Sequence, residues 1–110
     1  MAPEPLLSEL EHLVLLAVLR LGENAYAVTI RDEIQSVTGL KPLRGSIYVT
    51  LDRLEKKGYL ASHMGDPTPE RGGKARRFFQ VTPVARRALR ASRAVFQKMW
   101  DGIETQAGKS

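Results

Sequence analysis

Leu43-Arg-Gly-Ser-Ile-Tyr-Val-Thr-Leu-Asp-Arg-Leu-Glu-Lys-Lys-Gly58 is the stretch from which the rest of the chain can be read. Its apolar residues Ile47, Leu51 and Leu54 are spaced i, i+4, i+7 and share one helical face. Ser46, Tyr48, Val49, Thr50, Asp52, Arg53, Lys56 and Lys57 are assigned to the other face, which is small, polar and basic. Gly58 suits the C′ position of this helix, directly after two lysines that complement the negative end of its dipole.

Working outward, Ser8-Glu-Leu-Glu11 reads as a capping box, so a first helix is expected from Glu9 to about Leu21, with Gly22 as its stop. Leu13 to Leu19 is apolar nearly all round, which calls for cover on more than one side. That cover is either its own chain or a second subunit, and the small domain favours the subunit. A second helix is expected from Asn24 or Ala25, with Asn24 as N-cap and a buried stripe of Tyr26, Ile30, Ile34 and Val37. Thr38-Gly39 ends it, and Pro42 forbids simple continuation into the third helix.

After Gly58 the period changes. Tyr59 to Met64 reads as a strand, Gly65 to Gly73 as an exposed turn-rich loop, and Lys74 to Val81 as the returning strand. The tip of this hairpin carries Arg71, Lys74, Arg76 and Arg77. Strand alternation sends Phe78 and Phe79 to opposite faces without saying which is buried. Thr82-Pro83 is a strong helix start, a hydroxyl N-cap followed by proline at N1. The last helix is expected to reach Trp100 or Ile103, with Ala85, Leu89, Ser92, Phe96, Met99 and Ile103 forming a heptad-like seam. Packing of that seam on its own domain is the alternative to a dimer; the length of the helix favours the dimer.

The fold class is therefore mainly α with a small β-hairpin: a winged helix-turn-helix followed by a long C-terminal helix. The chain divides into an arm (1–7), the winged domain (8–82), a dimerisation helix (83–103) and a tail (104–110). A basic hairpin directly after a polar helix suits double-stranded DNA, with the helix in the major groove and the wing on phosphates or in a minor groove. The candidate DNA-binding residues are Arg44, Ser46, Tyr48, Thr50 and Arg53 on the third helix, and Lys74, Arg76 and Arg77 on the wing. The candidate dimer residues are Leu10, Leu13 and Leu16 from the first helix, with Leu89, Phe96, Met99 and Ile103 from the last.

Composition agrees. The 110 residues suffice for one core, 43% are hydrophobic and 26% charged, and the net charge of +5 points to a polyanionic partner. There is no cysteine, so no disulfide framework or thiolate metal site is expected. No signal peptide is visible and the longest apolar run is too short to span a bilayer, so a cytosolic protein without a membrane partner is expected. The only two histidines, His12 and His63, sit on different elements. Arg71-Gly-Gly-Lys74 lacks the strand and helix that a phosphate loop needs, and no nucleophile elbow is present. Neither an enzyme nor a bound cofactor or metal is expected. One rival is a winged helix used only for protein contact, against which the basic wing tip speaks. Another is a membrane-surface role for the last helix, which its arginines and apolar seam permit but a dimer interface at that seam would preclude.

Tyr26 with Ile30, Gly45-Ser-Ile-Tyr48, Leu51, Arg53-Leu-Glu55, Gly58, Arg71-Gly-Gly-Lys74, Arg77-Phe-Phe79 and Val81-Thr-Pro83 resemble the PadR family of bacterial transcriptional regulators in order and spacing. The resemblance covers roughly Leu6 to Trp100 and points to the short subgroup with one C-terminal helix. It implies a winged-helix homodimer that usually represses transcription, held by its first and last helices and reading a two-fold symmetric operator. It also implies that a small aromatic effector is a possible ligand, with Trp100 matching the aromatic that some short members place in a pocket between subunits; Phe96 is its neighbour. For Trp100, plain packing in the seam is an equal alternative. The chain departs from the family at Leu43, where a hydroxyl often caps the third helix, and at Ala85, where glycine is common.

Overall fold

The structure, a computed structural model, describes residues 6–65 and 75–103. The expected arm (1–7), most of the hairpin loop with Arg71 and Lys74, and the tail (104–110) lie largely or wholly outside the described residues. The elements are α1 (Glu9–Leu21), a 3-10 turn (Gly22–Asn24), α2 (Ala27–Thr38), α3 (Arg44–Lys56), β1 (Leu60–Met64), β2 (Arg77–Val81) and α4 (Pro83–Trp100).

The capping box forms as expected: the Glu11 amide donates to Ser8 Oγ at 3.1 Å and the Ser8 amide to Glu11 Oε1 at 2.9 Å. Val14, Leu15, Ala17 and Val18 then bury most of α1 in its own domain, against Ile30 and Ile34 of α2 and Ile47, Leu51 and Leu54 of α3. Leu16 alone of this run is exposed, while Leu13 and Leu19 are half-buried. The all-round apolar run is thus covered mainly by its own chain, with a ridge left at Leu16.

Two boundaries differ from the expectation at α2. Asn24 belongs to the 3-10 turn, and the helix begins at Ala27 with Tyr26 at its N-cap. The Thr29 hydroxyl makes this entry, accepting from the Tyr26 amide at 3.0 Å and donating to the Asn24 carbonyl at 2.5 Å. Val37 is 54% exposed rather than in the buried stripe. It stands on the rim of an apolar groove between α1 and α2.

The end of α3 is a Schellman motif. The Tyr59 amide donates to the Leu54 carbonyl and the Gly58 amide to the Glu55 carbonyl, with Gly58 at φ +79°. Thr82 then joins two helix ends: its hydroxyl donates to the Gly58 carbonyl at 2.7 Å and accepts from the Ala85 amide at 3.3 Å. Strands β1 and β2 pair antiparallel from Leu60↔Val81 to Met64↔Arg77. The Phe79 amide reaches back to the Ala25 carbonyl at 2.9 Å, which seats Phe79 in the core and leaves Phe78 on the outer side.

An ion pair with a buried carboxylate and a half-exposed ammonium links the start of α1 to the end of α3. Glu11 is 2% exposed, and its Oε2 accepts from Lys57 Nζ at 2.7 Å. Burial alone pushes the Glu11 carboxyl up, but the hydrogen bonds from Lys57 and Ser8 and the Lys57 charge outweigh it and hold the group below its ordinary 4.5. A depressed carboxylate stabilises the fold above its unfolded pKa, and that contribution is lost as pH falls through the folded value. Glu11→Gln is therefore expected to cost about 1 kcal/mol at neutral pH, since Lys57 remains half-exposed. The same variant should flatten the loss of stability between neutrality and the acid side of pH 4.5. Urea midpoints across that range check this; parallel pH profiles for both proteins would exclude it.

Candidate nucleic-acid interface

The turn into α3 is held by the helix before it: Arg31 Nε donates to the Pro42 carbonyl at 2.7 Å. Leu43 takes the N-cap position with extended backbone and no side-chain cap bond, as its departure from a hydroxyl requires. Arg20 Nε pairs with Glu33 at 2.7 Å and fixes α1 against α2. The helix-turn-helix is thus tied at both ends by arginines of the first two helices.

With Ile47, Leu51 and Leu54 inward, α3 presents Arg44, Tyr48, Val49, Asp52, Arg53 and Lys56 outward, and Ser46 lies half-buried at its first turn. Thr50, expected among the reading residues, is 3% exposed. It stands three residues after Ile47 and four before Leu54, so helical geometry turns it inward with them. A side chain so buried does not reach a base edge, and Thr50 leaves the candidate set. Lys57 also leaves the outer face, drawn to Glu11.

The described base of the wing is aromatic and cationic. The Arg76 guanidinium lies 4.1 Å from the centre of the Tyr26 ring. Tyr26 meets Phe78 edge-on at 5.5 Å, and Phe78 stacks on His63 at 5.7 Å. Arg77 is placed differently from its expected position at the wing tip. It opens β2 and turns onto α3: Nη1 is 3.3 Å from Asp52, Nη2 pairs with Glu55, and Nε is 3.2 Å from Ser62. Between the start of α2, α3 and the wing lies an open cleft of about 280 Å³ walled by Tyr26, Val28, Tyr48, Leu51 and Arg76. The sequence places Tyr26 in a buried stripe and among the residues that carry the family resemblance; no local signal marks it as the platform under a wing arginine.

The expected dimer residues separate into two groups. Leu89 is buried by its own domain, together with Ala85 and Ser92, so the first half of the α4 seam is closed within the chain. The second half is open: Phe96 is 51%, Met99 74% and Trp100 57% exposed, with Ile103 beyond them. Leu10 and Leu13 are half-buried against the core, and Leu16 projects into a groove between α1 and α4 flanked by His12, Leu19 and Arg90. Phe96 and Trp100 are one turn apart on α4, both more than half exposed.

Among the described residues no group of three or more metal-ligating side chains occurs, and no single helix is long and apolar enough to cross a membrane. Three packed helices, a two-stranded hairpin behind the third and a basic outer face on that third helix define a winged helix-turn-helix protein. The chain belongs to the PadR-like family of transcriptional regulators, whose model matches residues 15–91. Its members are regulators of transcription and not enzymes, and this chain is a transcriptional regulator by that membership.

Solved structures agree on the fold. A PadR-family transcriptional regulator from Eggerthella lenta is 27% identical with a TM-score of 0.69, over 93% of this chain and 88% of that one. A transcriptional regulator from Clostridium thermocellum is 21% identical with a TM-score of 0.71, over 86% and 89%. A PadR-like transcription factor from Bacteroides fragilis is 22% identical with a TM-score of 0.69, over 87% of each chain. No curated protein matches the sequence.

Proposed function

We propose that this regulator binds double-stranded DNA as a homodimer in the bacterial cytosol and represses transcription from a two-fold symmetric operator. The observation that carries the reading is the outward face of α3, where Arg44, Tyr48, Arg53 and Lys56 stand exposed beside a wing base that bears Arg76. Arg44 and Arg53 suit guanine edges or phosphates, and Ser46 and Tyr48 suit phosphates. The exposed methyl groups of Val49 suit the thymine methyl. In this reading residues 8–82 are the DNA-binding unit and 83–103 the dimerisation helix. Two copies of the open half of α4 cover each other, and Phe96 with Trp100 line the place where a small aromatic effector enters between subunits.

Fluorescence anisotropy against the DNA upstream of its own gene and against scrambled DNA, across a salt series, tests the proposal. Tight, selective, salt-steep binding at two subunits per site supports it. No binding to either DNA at low salt would overturn it and favour the protein-contact reading, for which the exposed Leu43, Tyr48 and Val49 offer an apolar face. Within the same assay, Arg76→Ala is expected to weaken binding to every sequence and to flatten the salt dependence by about one unit of slope. A guanidinium lying over a ring keeps its N–H edges free for phosphate. An unchanged slope would remove Arg76 from the phosphate contacts.

A further inference from the structure

Asp52 and Glu55 sit on the recognition helix, one turn apart, on the side that faces the wing. Carboxylates there are a liability, because they offset the cations of Arg44, Arg53 and Lys56 next to a polyanion. Arg77 engages both. Its three guanidinium nitrogens are divided among Asp52, Glu55 and Ser62, and the Ser62 hydroxyl donates in turn to Glu55. The guanidinium carbon also lies 5.2 Å from the centre of the buried Phe79 ring. Each nitrogen of Arg77 has a partner inside the protein.

We infer that Arg77 is a positioning residue for DNA recognition: a clip that draws the Asp52 and Glu55 carboxylates off the reading face and locks the wing base to α3. This rests on the DNA-binding reading above and assigns Arg77 no phosphate. Arg is required by the geometry. A planar fork can bridge two carboxylates and a hydroxyl, whereas a lysine ammonium keeps the charge but cannot span the set. Without the clip, Asp52 is released over the helix face, Glu55 keeps only the Ser62 hydroxyl, and the wing base loses its ion pairs to α3.

The test is a mutant cycle read by anisotropy on a labelled duplex carrying the sequence upstream of its own gene, with thermal melts confirming that each variant is folded. Arg77→Ala is expected to lose affinity by on the order of tenfold, within the range that coupling between contacting residues reaches. In a D52N/E55Q background, where nothing remains to be clipped, the same change should cost less than about threefold. Arg77→Lys should fall nearer to alanine than to wild type, and the salt slope of Arg77→Ala should match wild type. Equal losses in both backgrounds, a lysine variant that binds like wild type, and a slope shallower by about 0.9 would make Arg77 an ordinary phosphate contact and overturn the inference. A wild-type protein without DNA affinity would overturn the DNA-binding reading and the inference together; wild-type binding with an additive cycle overturns the inference alone.

Discussion

Replacing Phe96 and Met99 together by aspartate should give a folded monomer whose affinity for a two-site operator has fallen by about a hundredfold or more. The fold survives because α4 is anchored by its first half: Thr82 caps it, and Ala85, Leu89 and Ser92 are buried by the domain. The second half is open among the described residues, with Phe96 and Met99 both more than half exposed. In a two-fold dimer each substitution acts twice. Burying one such side chain is worth about 1.5–3 kcal/mol, so four lost apolar groups and four new charges exceed what a small interface supplies. A monomer loses the effective concentration that joins two half-sites, a factor of about 10²–10⁴. Sedimentation equilibrium and anisotropy on the same preparations check the two parts. A variant that remains dimeric with unchanged affinity would move the interface elsewhere, to the Leu16 ridge and the groove bordered by Val37.

Much of the fold was legible because its boundaries are set by neighbours in sequence. The Ser8–Glu11 box, the Gly58 stop and the Thr82-Pro83 start are local devices, and α1 and α4 begin, and α3 ends, where those residues place them. The start of α2 was misread because Asn24 is an equally good cap by type. The choice fell to Thr29, whose one hydroxyl serves both the Tyr26 amide and the Asn24 carbonyl. Thr50 was misplaced because three apolar residues mark the centre of a buried face but not its width. What stayed hidden is tertiary. Glu11 and Lys57 are far apart in the chain, so a capping glutamate gave no sign that it also neutralises the end of the recognition helix. Arg77 looked like a wing-tip cation because the hairpin was legible and the angle of the hairpin to α3 was not. The burial of Phe79 over Phe78 likewise waits on a backbone bond to Ala25, on another element.

Leu54→Ala should be the most destabilising of the single substitutions considered, at about 3 kcal/mol. Leu54 is fully buried beneath the end of α3, and its carbonyl accepts the Tyr59 amide that closes the Schellman turn. Truncation leaves a cavity where α3 meets α1 and β1, and the surrounding helices are pinned by the Glu11–Lys57 pair and the Thr82–Gly58 bond, so the site collapses poorly. For a domain of this size each kcal/mol moves Tm by about 4–8 °C, so a fall of roughly 12–24 °C is expected at a fixed protein concentration. Val49, on the other face of the same helix and exposed, supplies the contrast: Val49→Ala should move Tm by no more than about 0.5 kcal/mol allows. Their effects on DNA should reverse. Below its transition Leu54→Ala keeps Arg44, Tyr48 and Arg53 on the same outward face and should bind DNA nearly as wild type does. Val49→Ala, thermally silent, should weaken operator binding selectively through the lost methyl contacts. Calorimetry and anisotropy on the two variants separate the residues that build the recognition helix from those that read with it. Equal Tm values for Leu54→Ala and Val49→Ala would mean that the inward and outward faces of α3 are not as described.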